Sequence, residues 1–201
     1  MRGFLSTRVH LSPASRARTQ AALASFFLWA FRNEWIQATP MARIDRVRVD
    51  APKPRWLPRE QIAKLLAVIP TPRRRDRLLF RLIAECGLRP SEALGLHVED
   101  LDLSADDEHI NVLGKGGRRR TVLLDDGRLV SLLRAHLKQS GYRSGPLFRA
   151  EKNGTGGPLR YQSAQVRWAQ YCKEAGIACT LHHLRHSHAT ELVNDGVSLA
   201  P

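Results

Sequence analysis

Residues 109–124 read HINVLGKGGRRRTVLL. Two β-type runs, His109 to Leu113 and Arg119 to Leu124, flank Gly114-Lys115-Gly116-Gly117, and glycines between such runs predict a hairpin. A third run, Val98 to Leu103, precedes them, so three short strands form a small antiparallel sheet. On both sides the pattern turns helical. Upstream, Ile62, Leu65, Leu66 and Ile69 share one face of a helix over 59–69. A second helix covers about 73–86, Gly87 ends it, and a third starts near Pro90. Downstream, helices are predicted over about 127–139, 160–175 and 182–195. The fold class is therefore mainly α with a small three-stranded antiparallel β-sheet, an α+β arrangement.

Nearer the start, residues 12–32 read as a helix, with Ser12 as N-cap and Pro13 at the first helical position. Leu23, Phe26, Phe27 and Ala30 recur at helical spacing, with Trp29 and Phe31 alongside. After Asn33 a turn into a short final helix is expected, and Pro40 opens another turn. Residues 45–58, DRVRVDAPKPRWLP, hold three prolines and four basic residues without an apolar face, as an extended linker would. The expected organisation is a helical segment over 1–44, a linker over 45–58 and the main domain over 59–201.

Composition narrows the partner. The chain holds 32 Lys and Arg against 19 Asp and Glu, a net charge of +13, which favours a polyanion over mere solubility. Residues 1–50 carry a net +5 and residues 51–201 a net +8, so the charge suits a clamp better than a basic tail. Cys86, Cys172 and Cys179 lack metal-ligand spacing and form no disulfide framework, which fits a reducing, cytoplasmic setting. No apolar run approaches the ~18 residues of a membrane span, and the first twenty residues lack the apolar stretch of a secretory signal.

Three constellations carry chemistry. In Gly87-Leu88-Arg89-Pro90-Ser91-Glu92 an arginine sits at a bend between helices with a carboxylate three residues on. Such a guanidinium can grip two oxygens of one phosphate, or simply cap its helix and pair with Glu92. Lys115 at the hairpin tip is either a solvated turn residue or a mobile donor for a phosphate. Arg118, Arg119 and Arg120 behind it suit a nucleic-acid backbone. In Leu181-His182-His183-Leu184-Arg185-His186-Ser187-His188, four histidines and an arginine open a helix. His182 and Arg185 share a face, and a helix start favours an anion. The competing reading is a metal site on His182 and His186, but the metalloprotease pattern needs Glu where His183 stands.

In this order and spacing, GLRPSEAL, GKGGRRRTV and HHLRHSHATELVNDGVSL closely resemble the tyrosine recombinases, the family of phage and integron integrases. The preceding LSPASRARTQAALASFFLWAFRNEWIQATPM resembles the end of their DNA-gripping core-binding domain, so the likeness runs from about residue 11 onward. It implies that 1–44 is a partial core-binding domain and 59–201 a catalytic domain. Arg89, Lys115, His182 and Arg185 match catalytic positions, and Arg55, Arg118, Arg119 and Arg120 are expected DNA contacts. The implied reaction is strand cleavage by a tyrosine, giving a 3′-phosphotyrosyl link and a free 5′-hydroxyl on double-stranded DNA. It implies no metal or other cofactor, and a homo-oligomer, a tetramer on DNA.

The family has a second His or Trp and the nucleophilic tyrosine after His-x-x-Arg, whereas this sequence runs only sixteen residues past Arg185. Tyr142, Tyr161 and Tyr171 all precede His182. The chain as given is therefore expected to lack cleavage activity by itself and to be incomplete at both ends. The alternatives are a non-catalytic DNA-binding regulator or remnant and a metal-dependent hydrolase built on the histidine cluster.

Overall fold

The computed structural model describes residues 2–49, 56–150 and 156–194. The chain divides into two compact units, Met1–Pro54 and Arg55–Pro201. Arg55 lies outside the described residues, as does residue 195 of the helix expected over 182–195.

In the first unit a short helix α1 (Arg2–Ser6) precedes α2 (Pro13–Arg32). The cap forms as its sequence predicts, with the Ser12 hydroxyl accepting from the Ser15 N–H at 3.2 Å. The short helix expected after Asn33 does not form: residues 33–43 are turns and bends. The reason is the way α2 ends. Glu34 adopts a left-handed φ of 60°, and the Trp35 N–H reaches back to the Ala30 carbonyl at 2.9 Å. That closing bond reverses the chain instead of extending it. Trp35 then packs edge-on against Trp29, with ring centroids 4.7 Å apart. Gln20, buried on α2, clamps the returning chain with both ends of its amide. It donates to the Asp45 carbonyl at 2.6 Å and accepts from the Val47 N–H at 2.9 Å.

The second unit is built on α3 (Arg59–Ala67), α4 (Arg74–Glu85) and α5 (Pro90–Leu94) before the sheet, and on α6 (Gly127–Ser140), α7 (Tyr161–Ala175) and α8 (Leu181–Asn194) after it. Strands β1 (Leu101–Asp102), β2 (His109–Leu113) and β3 (Arg119–Leu123) lie in that order, all antiparallel. Only two residues of the run from Val98 to Leu103 pair as strand. Val98–Asp100 is instead one 3₁₀ turn, because the Asp100 carboxylate accepts from the His97 N–H at 2.9 Å and tightens the chain there.

Helix α4 is the axis of the core: Leu78, Leu79, Phe80, Leu82 and Ile83 are all essentially inaccessible. Trp168 of α7 packs on Phe80 at 4.8 Å, and Ile110 and Val112 close the core from the sheet. A buried ion network pins α4 to α7. Asp76 accepts from Arg75 Nε at 3.2 Å, Arg167 Nη1 at 3.0 Å and the Tyr171 hydroxyl at 2.8 Å. The anion is affordable in the interior because these donors satisfy it. The Cys172 and Cys179 sulfurs approach to 3.5 Å as free thiols where α7 leads toward α8. Among the described residues no helix is long and apolar enough to cross a membrane.

Candidate functional site

Gly87 ends α4 with φ at +60°, a conformation that costs glycine little. The chain then turns so that Arg89 stands just before α5, with Pro90 at the first helical position. The Arg89 N–H donates to Glu92 Oε2 at 2.8 Å, and its guanidinium donates to Glu92 Oε1 at 2.7 Å. Arg89 thus both caps a helix and presents charge: its side chain is 47% exposed, against 5% for Glu92. The two readings of this arginine are compatible.

Helix α8 brings the second cation. Its first turn is set by the Thr180 N–H, which donates to His183 Nδ1 at 3.2 Å. Leu181 and Leu184 anchor its inner face. Buried Ser187 ties it to the start of the unit, because its hydroxyl accepts from the Leu57 N–H at 2.7 Å. Two residues before Ser187, Arg185 donates from Nη1 to the Gly87 carbonyl at 2.6 Å and lies 3.8 Å from Glu92 Oε2. Arg89 and Arg185 therefore converge on one carboxylate from elements almost a hundred residues apart.

A third guanidinium completes the cluster. Arg120 of β3 forks onto Glu92, with Nη1 to Oε1 at 3.0 Å and Nη2 to Oε2 at 2.9 Å. Burial alone would raise the Glu92 pKa, but the Arg120 bonds and both Arg89 donors outweigh it and bring the carboxyl down to about 2. Burial and the neighbouring Arg89 charge lower the Arg185 pKa, while Glu92 opposes them. The cluster is a fixed anion surrounded by three guanidiniums, with net positive charge left over toward its open side. That arrangement suits one further anion held by two exposed forks.

Of the other sequence candidates, His182 is exposed on the first turn of α8, one turn before Arg185 and on its side of the helix. Lys115 lies in a 3₁₀ turn, Lys115–Gly117, at the hairpin tip. Arg118 and Arg119 are exposed, whereas Arg120 is partly buried and committed to Glu92. Sequence reading grouped these three arginines together. Strand alternation separates them, since Arg120 pairs across from buried Val112 and Arg119 from exposed Leu113. None of the tyrosines is drawn to the cluster by a described contact. Tyr171 is held by Asp76, with its pKa pushed up to about 12 by burial and that anion, and Tyr142 lies 4.0 Å beneath the Arg149 guanidinium. Among the described residues no group of three or more His, Cys, Asp or Glu is placed to hold a metal ion.

Two guanidiniums, one beside a helix bend and one from His-x-x-Arg, thus converge on the Glu92 carboxylate, the arrangement that the resemblance to the tyrosine recombinases implies. Comparison with known proteins agrees. Residues 55–200 match the phage integrase family. The chain is 35% identical over 194 residues to tyrosine recombinase XerC of Rhodospirillum centenum, covering 92% of this chain and 56% of that protein. It is 34% identical over 159 residues to tyrosine recombinase XerA of Thermococcus kodakarensis, covering 78% of this chain and 55% of that protein. Among solved structures, the XerH site-specific recombinase bound to palindromic difH substrate, a post-cleavage complex, superposes with a TM-score of 0.80 at 28% identity, covering 98% of this chain and 61% of that one. The chain belongs to the phage integrase family, the tyrosine recombinases. It spans a little over half the length of these curated relatives.

Proposed function

We propose that this chain binds double-stranded DNA and holds a scissile phosphodiester between Arg89 and Arg185 for site-specific strand exchange through a 3′-phosphotyrosyl intermediate. The observation that carries the reading is the convergence of those two side chains on Glu92, at 2.7 and 3.8 Å, with 47% and 32% of each exposed. In the transition state of phosphoryl transfer, negative charge builds on the non-bridging oxygens. Guanidiniums already held in place stabilise it without reorganising, and one preorganised donor is typically worth ~2.7–4 kcal/mol of barrier. Lys115, delivered by the hairpin, protonates the leaving 5′-oxygen. His182 helps move the tyrosine proton or braces the phosphate. The covalent link conserves the phosphodiester energy, so religation needs no ATP.

In this reading the helical segment over 1–44 grips the duplex, residues 45–58 link it to the catalytic domain over 59–201, and Arg55, Arg118 and Arg119 contact backbone phosphates. Copies assemble as a tetramer on paired duplexes in the cytoplasm. The nucleophile is a tyrosine other than Tyr142, Tyr161 and Tyr171. The commitment of Tyr171 to Asp76 also favours a second reading, a DNA-binding chain without cleavage.

One experiment separates the two. Residues 1–194 are joined to the C-terminal segment of the Rhodospirillum centenum relative and incubated with a nicked substrate that traps covalent adducts. Strand exchange predicts an adduct that Arg89→Ala abolishes while DNA binding weakens only modestly. A hybrid that folds and binds DNA yet forms no adduct leaves binding alone.

A further inference from the structure

We infer that Arg120 is a positioning residue of the phosphate pocket: acting through Glu92, it keeps Arg185 out of the carboxylate's shell and available to the substrate beside Arg89, and ties the base of the Lys115 hairpin to both. The inference rests on the pocket reading above and adds a residue that reading does not require.

The argument begins with lone pairs. A carboxylate offers about four acceptor sites, and four donors take them here. Oε1 accepts from Arg89 Nη1 at 2.7 Å and Arg120 Nη1 at 3.0 Å, and Oε2 from the Arg89 N–H at 2.8 Å and Arg120 Nη2 at 2.9 Å. Arg185 stays outside this shell at 3.8 Å, donating instead to the Gly87 carbonyl. With Arg120 removed, two sites on a buried anion open. Arg89 already bonds this carboxylate, and Arg185, 3.8 Å away, is the next cation beside it; an unsatisfied buried carboxylate draws it in. It then turns from the pocket mouth toward the pocket floor. Arg120 thus protects the second phosphate ligand without touching the phosphate.

The same pair supports the hairpin. A side-chain carbon built on Gly114 would lie 3.7 Å from Arg120 Nη1 and 3.9 Å from Glu92 Oε1. The residue immediately before Lys115 therefore sits directly against the ion pair. The Gly114 N–H also donates to the Arg118 carbonyl at 2.7 Å, which closes the hairpin base at this point. Arg120 joins the sheet, through its backbone pairing with Val112, to the bend that carries Arg89.

The test uses residues 1–201 and inorganic vanadate, an anion that adopts the trigonal-bipyramidal geometry of phosphoryl transfer. Arginine side-chain N–H resonances are followed by NMR during titration. The expected result is that the Arg89 and Arg185 signals move while that of Arg120 stays in place. Arg120→Met is expected to weaken vanadate binding about tenfold, an effect of the size seen when a group orienting a ligand is lost. Because Arg120 acts through Glu92, Glu92→Gln and the double variant Glu92→Gln/Arg120→Met bind alike. A merely structural Arg120 lowers thermal stability without changing vanadate affinity, and that result overturns the inference. So does an Arg120 signal that moves with those of Arg89 and Arg185, or losses that add in the double variant. Failure of the wild-type Arg89 and Arg185 signals to respond overturns the pocket reading itself, and this inference with it.

Discussion

Arg185 and Gly87 are joined by a 2.6 Å hydrogen bond from guanidinium to carbonyl, across 98 positions of sequence. One helical turn beyond Arg185, the imidazole of His188 fills the space where a side chain on Gly87 would stand. A Cβ there would come within 2.4 Å of His188 Cδ2. The bend before Arg89 and the helix bearing Arg185 are thus fitted to each other at a residue with no side chain.

Gly87→Ala meets two penalties. The left-handed φ of +60° costs an alanine about 1–2 kcal/mol, and crowding of His188 adds about 1–3 kcal/mol. Thermal unfolding of Gly87→Ala, His188→Ala and the double variant separates them. The double variant is expected to be more stable than the sum of the single effects, because only the crowding is shared. Strict additivity would mean that α8 does not dock on Gly87.

The Asp76 network sets a second expectation. Asp76→Asn removes the buried anion around which Arg75, Arg167 and the Tyr171 hydroxyl gather. Breaking a buried ion pair from one side typically costs about 3–5 kcal/mol. Tyr171→Phe removes a single hydrogen bond and is expected to cost about 0.5–1.5 kcal/mol. Urea denaturation reads both. DNA binding by Tyr171→Phe stays at the wild-type level, since that hydroxyl faces Asp76.

Much of this was legible in the sequence because it rests on local rules. The Gly-rich hairpin, the stop at Gly87 and the Pro90 start follow from backbone preferences, and the burial of α4 follows from its dense apolar run. The pairing of Arg89 with Glu92 was legible as well, being three residues apart. Nothing local shows that Arg185 bonds Gly87, or that Asp76 gathers donors from α7. Those contacts depend on how helices pack. The short helix expected after Asn33 failed for a related reason: nothing about a glutamate announces the left-handed turn at Glu34 that the return to Ala30 requires. Arg120 was legible in principle, since alternation along β3 places it in phase with Val122 and opposite Val112. Its neighbours Arg118 and Arg119 made the three look like one basic run.

Stability is expected to fall on mild acidification. Burial is the first cause lowering the pKa of both His136 and His188, with Arg75 and Arg74 adding repulsion at His136 and Arg185 at His188. The Leu147 carbonyl at His136, and at His188 the Glu191 charge and then the Ala84 carbonyl, oppose this but do not reverse it. The unfolded chain then binds more protons than the folded one as pH drops below the ordinary histidine value of 6.5. Stability is complete above that value and declines toward the lower folded pKa values. Glu92 adds a separate loss at stronger acid: its contribution is present above 4.5 and vanishes as pH falls toward about 2. Urea midpoints between pH 7.5 and 5 should decrease, and His136→Gln combined with His188→Gln should flatten the decline. A profile rising toward pH 5 would contradict burial of the neutral rings.

The hairpin arginines yield the last expectation, and it concerns salt rather than affinity alone. Arg118 and Arg119 are exposed at the start of β3, just after Lys115, and pair with no carboxylate among the described residues, whereas the Arg120 fork is bonded to Glu92. A cation that neutralises a DNA phosphate releases a counterion, so its removal lowers the slope of log affinity against log salt by about one. Arg118→Met and Arg119→Met are each expected to show that change on duplex DNA of any sequence, measured by fluorescence anisotropy from 50 to 200 mM salt, a span over which six to ten phosphate contacts weaken binding by about 10³–10⁵-fold. The loss should be uniform across sequences, because a phosphate contact carries no base information. A slope unchanged by both substitutions would place the hairpin away from the backbone, and the DNA path would then have to follow other cations of the chain.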